Sequence, residues 1–225
     1  MGTILKVENI NYGYVDGGYR REILKDLSYD FEEGKFYTIL GPSGSGKTTL
    51  LSILAGLDKQ ESGTVYYAGE SLEKLGLYKY RRNKIGVVFQ AYNLIQYLTG
   101  IENIELAMTE TDNEVPKNQK EIGYALLEKF GIVKSKADRL VTHLSGGEQQ
   151  RIAIARALAS NVDLIFADEP TGNLDSATEQ EIISIFKMLT EKFKKTVIVV
   201  THSNEVSKLS DYRVFLQDGQ LQDID

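Results

Sequence analysis

The sequence predicts an α/β protein with a mostly parallel central sheet, on three observations. "KIGVVF" (84–89), "VDLIFAD" (162–168) and "TVIVVTH" (196–202) are continuous apolar runs rich in Val and Ile, the pattern of parallel strands buried on both faces. Between the last two lies "EQEIISIFKMLTEKF" (179–193), whose apolar spacing is that of an amphipathic crossover helix. "KFYTIL" (35–40) passes through a glycine-rich connection into "KTTLLSILAGL" (47–57), which has helical spacing.

The remaining elements follow in chain order. "TILKVENI" (3–10) alternates and predicts a strand, and "SGTVYYAGE" (62–70) predicts a short strand with turn residues on both sides. Residues 100–140 differ in character. "NIELAM" and "KEIGYALLEKFGI" are helix-like and flank the polar "TETDNEVPKNQK", which predicts a helical lobe inserted between sheet strands. The tail "DYRVFLQDGQLQDI" predicts a hairpin turning at Asp218-Gly219.

Composition narrows the function class. The 225 residues are 42% hydrophobic and 26% charged, so a packed core is expected rather than disorder. A net charge of −6 argues against nonspecific nucleic-acid binding. No apolar run approaches the ~18 residues of a membrane span, and "MGTILKVENI" lacks the regions of a signal peptide. With no cysteine and two histidines, neither a disulfide nor a self-contained zinc site is expected.

The strongest chemical signal is the run Gly41-Pro42-Ser43-Gly44-Ser45-Gly46-Lys47-Thr48, followed by Thr49. It matches G-x-x-x-x-G-K-[ST] between a predicted strand and a predicted helix. Its glycines permit a tight loop whose N–H groups face phosphates, and the helix start adds partial positive charge. Lys47 is placed to reach the β- and γ-phosphates, and the Thr48 hydroxyl to ligate Mg²⁺. "LIFADEP" ends a buried strand in Asp168 and Glu169, where open α/β sheets place their ligands. Asp168 is the candidate to hold Mg²⁺, and Glu169 to orient and polarise the attacking water. Gln90 and His202 close two other apolar runs in the same way. A side-chain amide at Gln90 suits the metal or the water. A second glycine pair, Gly146-Gly147 in "HLSGGEQQRIAIARAL" (143–158), stands before another predicted helix. One chain thus carries two places where backbone is free to approach an anion.

Together these residues resemble the ATPase domains of ABC transporters, in order and spacing, over essentially the whole chain. The Leu144-Ser145-Gly146-Gly147-Glu148-Gln149 run and "TGNLD" (171–175) are the specific part. The resemblance implies a single ABC ATPase domain over 1–225. Residues 1–90 and 155–225 would form an N-terminal antiparallel β-subdomain and a RecA-like core, and residues 91–154 a helical subdomain bearing the signature. It implies ATP and Mg²⁺ as ligands, with Glu169, His202 and Lys47 catalytic, and Thr48, Gln90 and Asp168 around the metal. It also implies that a second copy packs head to tail, so that Ser145, Gly146, Gly147 and Glu148 serve ATP held by the other chain, with Asp175 contacting the partner's site. A Tyr stacked on adenine is expected at Tyr14, with Tyr12 and Tyr19 as competitors.

The same resemblance implies a separate integral membrane permease and a place at the cytoplasmic face of the membrane. "VVFQAYNLIQYLTGIENIEL" (87–106) is similar to the lipoprotein-release, macrolide-export and peptide-antibiotic resistance group, except that Gln96 stands where that group typically has proline. Its apolar Tyr92, Leu94, Ile95, Tyr97 and Leu98 fit two readings, a groove for a permease helix or the core of the helical lobe. "KYRRNK" (79–84) reads as a solvated face, with lipid head groups or the partner as the other reading. Cell-division ATPases and soluble iron–sulfur assembly ATPases are the alternatives to the transport group. DNA-repair ATPases are disfavoured by the acidic balance, and a catalytically dead subunit by the presence of Lys47, Asp168, Glu169 and His202.

Overall fold

A computed structural model describes residues 2–224. The chain begins with a long hairpin, β1 (Thr3–Asp16) and β2 (Tyr19–Glu32), then enters β3 (Phe36–Leu40) and, after the glycine-rich loop, α1 (Lys47–Leu54). β4 (Ser62–Tyr67), β5 (Glu70–Ser71), α2 (Leu72–Leu75), α3 (Leu77–Asn83) and β6 (Ile85–Phe89) follow. A helical stretch comprises α4 (Gly100–Glu110), α5 (Gln119–Lys129), α6 (Lys134–Ala137) and α7 (Gly146–Ala159). β7 (Leu164–Asp168), α8 (Ser176–Glu191), β8 (Thr196–Val200), α9 (Asn204–Lys208), β9 (Tyr212–Gln217) and β10 (Gln220–Ile224) complete the chain.

Two sheets result. One is antiparallel, in the order β2-β1-β4-β5. The other has the order β10-β9-β3-β8-β7-β6, with β10 antiparallel to β9 and every other pairing parallel. The expected parallel sheet and tail hairpin are both present. β2 is a strand that the residues do not announce, and its buried positions explain why. Ile23, Leu24, Leu27 and Phe31 are spaced like a helix face. Register shifts after Val7, Ile10 and Tyr12 of β1 break the ladder, so the two-residue alternation is lost.

Two inner strands of the central sheet, β7 and β8, are buried on both sides, and alternate side chains sort to separate cores. Val197 and Val199 of β8 join the core built by α4, α5, α7 and α8. Ile198 and Val200 join the core built by α1 and the antiparallel sheet. Each such fully buried aliphatic side chain contributes about 1.5–3 kcal/mol relative to exposure. This double burial is what made the strands read as continuous apolar runs. α7 runs unbroken from the helical lobe into the sheet's core, and Ile152, Ile154 and Leu158 lie in the same cluster as Val197. Among the described residues no helix is long and apolar enough to cross a membrane.

Register aligns the functional strand ends. Phe89 pairs with Asp168, Asp168 with Val200, and Val200 with Ile39. Because these strands are parallel, the segments following each of them emerge along one edge of the sheet.

Candidate active site

The loop between β3 and α1 is shaped by close approach. Gly46 has φ +99, and a Cβ there would lie 2.3 Å from Ile23 Cγ2 of β2, so only glycine fits. α1 starts with no side-chain cap. The N–H groups of its first turn are therefore not taken up by a side-chain cap, which leaves them available to an anion. Lys47 is buried, and its Nζ donates to the carbonyls of Gly41 (2.9 Å) and Pro42 (3.0 Å), inside the loop. Burial lowers the Lys47 pKa, while the carboxylates of Glu169 and Asp168 act in the opposite direction. The Ser45 hydroxyl is buried with no hydrogen-bond partner. An orphaned donor beside an uncapped helix start is what a phosphate oxygen satisfies.

A cleft of about 280 Å³ opens at this loop, lined by Tyr14, Ile23, Ser43, Gly44, Gly46, Lys47, Thr48, Thr49, Glu169 and His202. The three candidate tyrosines differ in their surroundings. Tyr14 lines the cleft and is 43% exposed. The Tyr12 hydroxyl donates to Asp58 Oδ2 (2.8 Å), and Tyr19, at the hairpin tip, is 84% exposed. A wider cleft of about 710 Å³ lies along Gly41–Ser45, lined by Arg21, Lys25 and Asp218, but it contains none of Lys47, Thr48 or Glu169.

Asp168 and Glu169 diverge. The Thr48 hydroxyl donates to Asp168 Oδ1 (3.1 Å), which brings together two oxygens suited to a hard cation. Burial raises the Asp168 pKa, opposed by the Thr48 hydrogen bond and the Lys47 charge. Glu169 adopts φ +44, a left-handed conformation uncommon outside glycine. Its side chain meets His202, with Oε1 at 2.9 Å from the ring Nε2 and Oε2 accepting the His202 N–H at 3.3 Å. Gln90 Nε2 donates to Asn173 Oδ1 (3.2 Å). Thr48 and Asp168 fit Mg²⁺. Among the described residues no group of three or more His, Cys, Asp or Glu can hold a metal; phosphate oxygens and water suit the rest of a Mg²⁺ shell.

The second glycine pair is elsewhere. Ser145 caps α7, accepting from the Glu148 N–H (3.3 Å), while Glu148 Oε2 accepts from the Ser145 N–H (2.9 Å), a full capping box. Lys136 pairs with the other oxygen of Glu148 and lowers its pKa. Gly146 and Gly147 occupy the first turn rather than a loop before it. A Cβ on Gly147 would lie 2.3 Å from Thr178 Cγ2, and one on Gly146 would lie 2.7 Å from the Tyr92 hydroxyl. Thr178 in turn donates to Asp175 Oδ2 (2.7 Å), and Asp175 caps α8. None of Ser145–Glu148 or Asp175 lines the cleft at Lys47.

Several contacts had no local signal in the sequence. Ile23 is one position of an irregular strand, Asn173 and Arg156 act across the fold, and Thr178 meets Gly147 from a different helix. The Arg156 guanidinium donates to the Tyr92 carbonyl (3.3 Å) and to the Asn93 carbonyl, tying the segment after Gln90 to α7. Of that segment, Tyr97 is 79% exposed, whereas Leu94 packs against the helical core.

Comparison with known proteins is consistent with this geometry. The ABC transporter family model matches residues 24–172. The chain is 42% identical over 217 residues to the uncharacterized ABC transporter ATP-binding protein YclH of Bacillus subtilis (strain 168), covering 96% of this chain and 95% of that protein. It is 36% identical over 223 residues to the lipoprotein-releasing system ATP-binding protein LolD of Francisella tularensis subsp. tularensis (strain FSC 198), covering 98% and 96%. A dimeric, post-hydrolysis structure of the ATP-binding cassette MJ0796 of Methanocaldococcus jannaschii, bound to ADP and Pi, superposes with a TM-score of 0.88 at 38% identity, covering 98% of each chain.

Proposed function

This chain belongs to the ABC transporter family as an ATP-binding subunit and ATPase, and we propose that two copies close around two ATP molecules to drive a separate membrane permease. The observation that carries this reading is the pair of helix starts on one chain. One, at Lys47, lines the cleft, and the other, at Ser145–Gly147, does not. Each is half of an anion site, and a head-to-tail dimer unites the halves.

In this reading Tyr14 stacks on adenine and the Gly41–Thr49 loop cradles the phosphates. Lys47 neutralises β- and γ-oxygens, and Ser145 with the Gly146 and Gly147 amides closes on the γ-phosphate from the partner copy. Thr48, Asp168 and Gln90 would hold Mg²⁺, which when bound offsets charge on the phosphates. Glu169 takes the proton of the attacking water, and His202, held at 2.9 Å from it, stabilises the γ-phosphate. The segment after Gln90 receives the permease, placing the subunit on the cytoplasmic face of the membrane. The likeness to LolD supports a permease of the lipoprotein-release type, with the macrolide and antimicrobial-peptide export types as the other members of the group the sequence resembles.

The test is the mass of Glu169→Gln by light scattering, with and without ATP in EDTA. Removing base and metal traps closure without hydrolysis, so a monomer-to-dimer shift only with ATP is expected. A monomer in both states, with ATP binding confirmed by calorimetry, would sink the homodimer. Copurification with a soluble scaffold rather than a membrane protein would favour the iron–sulfur assembly type.

A further inference from the structure

We propose that Glu179 is a positioning residue that anchors both sides of the His202–Glu169 contact through a single carboxylate oxygen. Glu179 lies in the first turn of α8. Its Oε1 accepts from the Ser203 hydroxyl at 2.6 Å and from the Thr171 hydroxyl at 3.2 Å. Ser203 directly follows His202, and Thr171 is two residues beyond Glu169. The same oxygen therefore fastens the loop after β8 to the loop after β7, immediately behind the two side chains that meet in the cleft.

Local demands do not account for this carboxylate. Asp175 already caps α8, accepting from Ala177, Thr178 and the Thr178 hydroxyl. The hydrogen bonds of Glu179 go instead to the two loops. The anchor is also rigid. Ile182, Ile183, Phe186 and Leu189 bury the following turns of α8 in the core, and a carboxylate at a helix start is favoured by the helix dipole. Thr171 is itself buried, and Ser203 has a second bond from the Val206 N–H as cap of α9. Functional side chains on loops need such support to hold their geometry.

The inference rests on the proposed hydrolytic pairing of Glu169 with His202, and the experiment separates the two. The full chain contains two histidines, so NMR resolves the His202 ring signals, assigned by His202→Ala, with His143 as internal reference. Glu179→Ala, and the bulkier Glu179→Leu should Ala fail to fold, are expected to shift and broaden the His202 signals while leaving His143 in place. ATP turnover is expected to fall about tenfold in kcat, with KM for ATP within about twofold. Glu179→Gln, whose amide oxygen still accepts both hydroxyls, should restore most of the rate. In a His202→Ala background Glu179→Ala should cost less than in the parent, because the part of its effect that passes through His202 is already lost.

His202 signals unmoved in Glu179→Ala or Glu179→Leu would overturn the positioning role, and so would a full additive loss in the double variant. Normal turnover in His202→Ala would instead overturn the hydrolytic reading, and the NMR result alone would then decide the anchor.

Discussion

Lys47, Asp168 and Gly147 show how single residues carry opposite demands. The Lys47 ammonium is buried against two carbonyls of its own loop, a position that suits phosphate more than packing. Lys47→Ala is expected to weaken ATP binding at least about tenfold by calorimetry, the loss of one charge-assisted contact. Asp168 has its pKa raised above 3.8 by burial. Between that value and the folded-state pKa the unfolded chain holds fewer protons, so stability falls as pH rises and stays lowered above both. Asp168→Asn should therefore resist urea better than the parent at pH 7 without nucleotide, with the advantage vanishing below pH 3.8. Gly147 would gain helix propensity as Ala, up to ~1 kcal/mol. Its Cβ, however, would meet Thr178, whose hydroxyl is held by Asp175. Gly147→Ala should cost about 1–3 kcal/mol net in chemical denaturation, and a stabilised variant would show that α7 and α8 are free to part.

At the scale of elements, α7 has two tasks at one terminus. The Ser145–Glu148 box satisfies its first turn, and the same residues are the proposed partner-facing surface. Ser145→Ala should cost about 1 kcal/mol of stability from the lost cap, read from the urea midpoint. Ser145→Thr keeps a capping hydroxyl and should cost less. The Ser-Gly-Gly-Glu pattern was legible as a helix start in the sequence, yet the packing of Gly147 on Thr178 was not, since α7 and α8 are separated by β7 in the chain. α8 likewise begins at Ser176, earlier than its apolar spacing indicated, because Asp175 caps it and its first turn is polar. β8 shows the other limit. Its apolar run announced burial but not that alternate residues serve different cores. Ile198→Ala should cost about 2–5 kcal/mol and Val199→Ala less, in proportion to the methyl groups removed.

For the whole molecule, ligand and fold stability are linked. ATP at about one hundred times its Kd stabilises a binding-competent chain by about 2.7 kcal/mol. For a chain this long that corresponds to a rise of about 5–10 °C in Tm. Glu169→Gln with ATP in EDTA should show it by scanning calorimetry, and Lys47→Ala should not. A rise with Lys47→Ala equal to that of the parent would place the nucleotide outside the cleft at Lys47. Glu169 lies at the end of β7 and His202 after β8, yet their contact depends on parallel register across the sheet, a property of the assembled molecule.

By itself the sequence determined the α/β class, the strand–loop–helix that holds Lys47, the acidic end of β7, the second helix start at Ser145 and the hairpin at Asp218-Gly219. Each rests on short-range chemistry: two-sided burial, glycine before a helix, a capping residue, a turn dipeptide. Tertiary structure alone decided that β2 is a strand, that Ile23 closes over Gly46, that Tyr14 rather than Tyr12 lines the cleft, that Glu169 meets His202, and that Glu179 bonds Thr171 and Ser203. Those depend on bulged register and on contacts between segments far apart in the chain, and local spacing holds no record of which distant side chain will arrive.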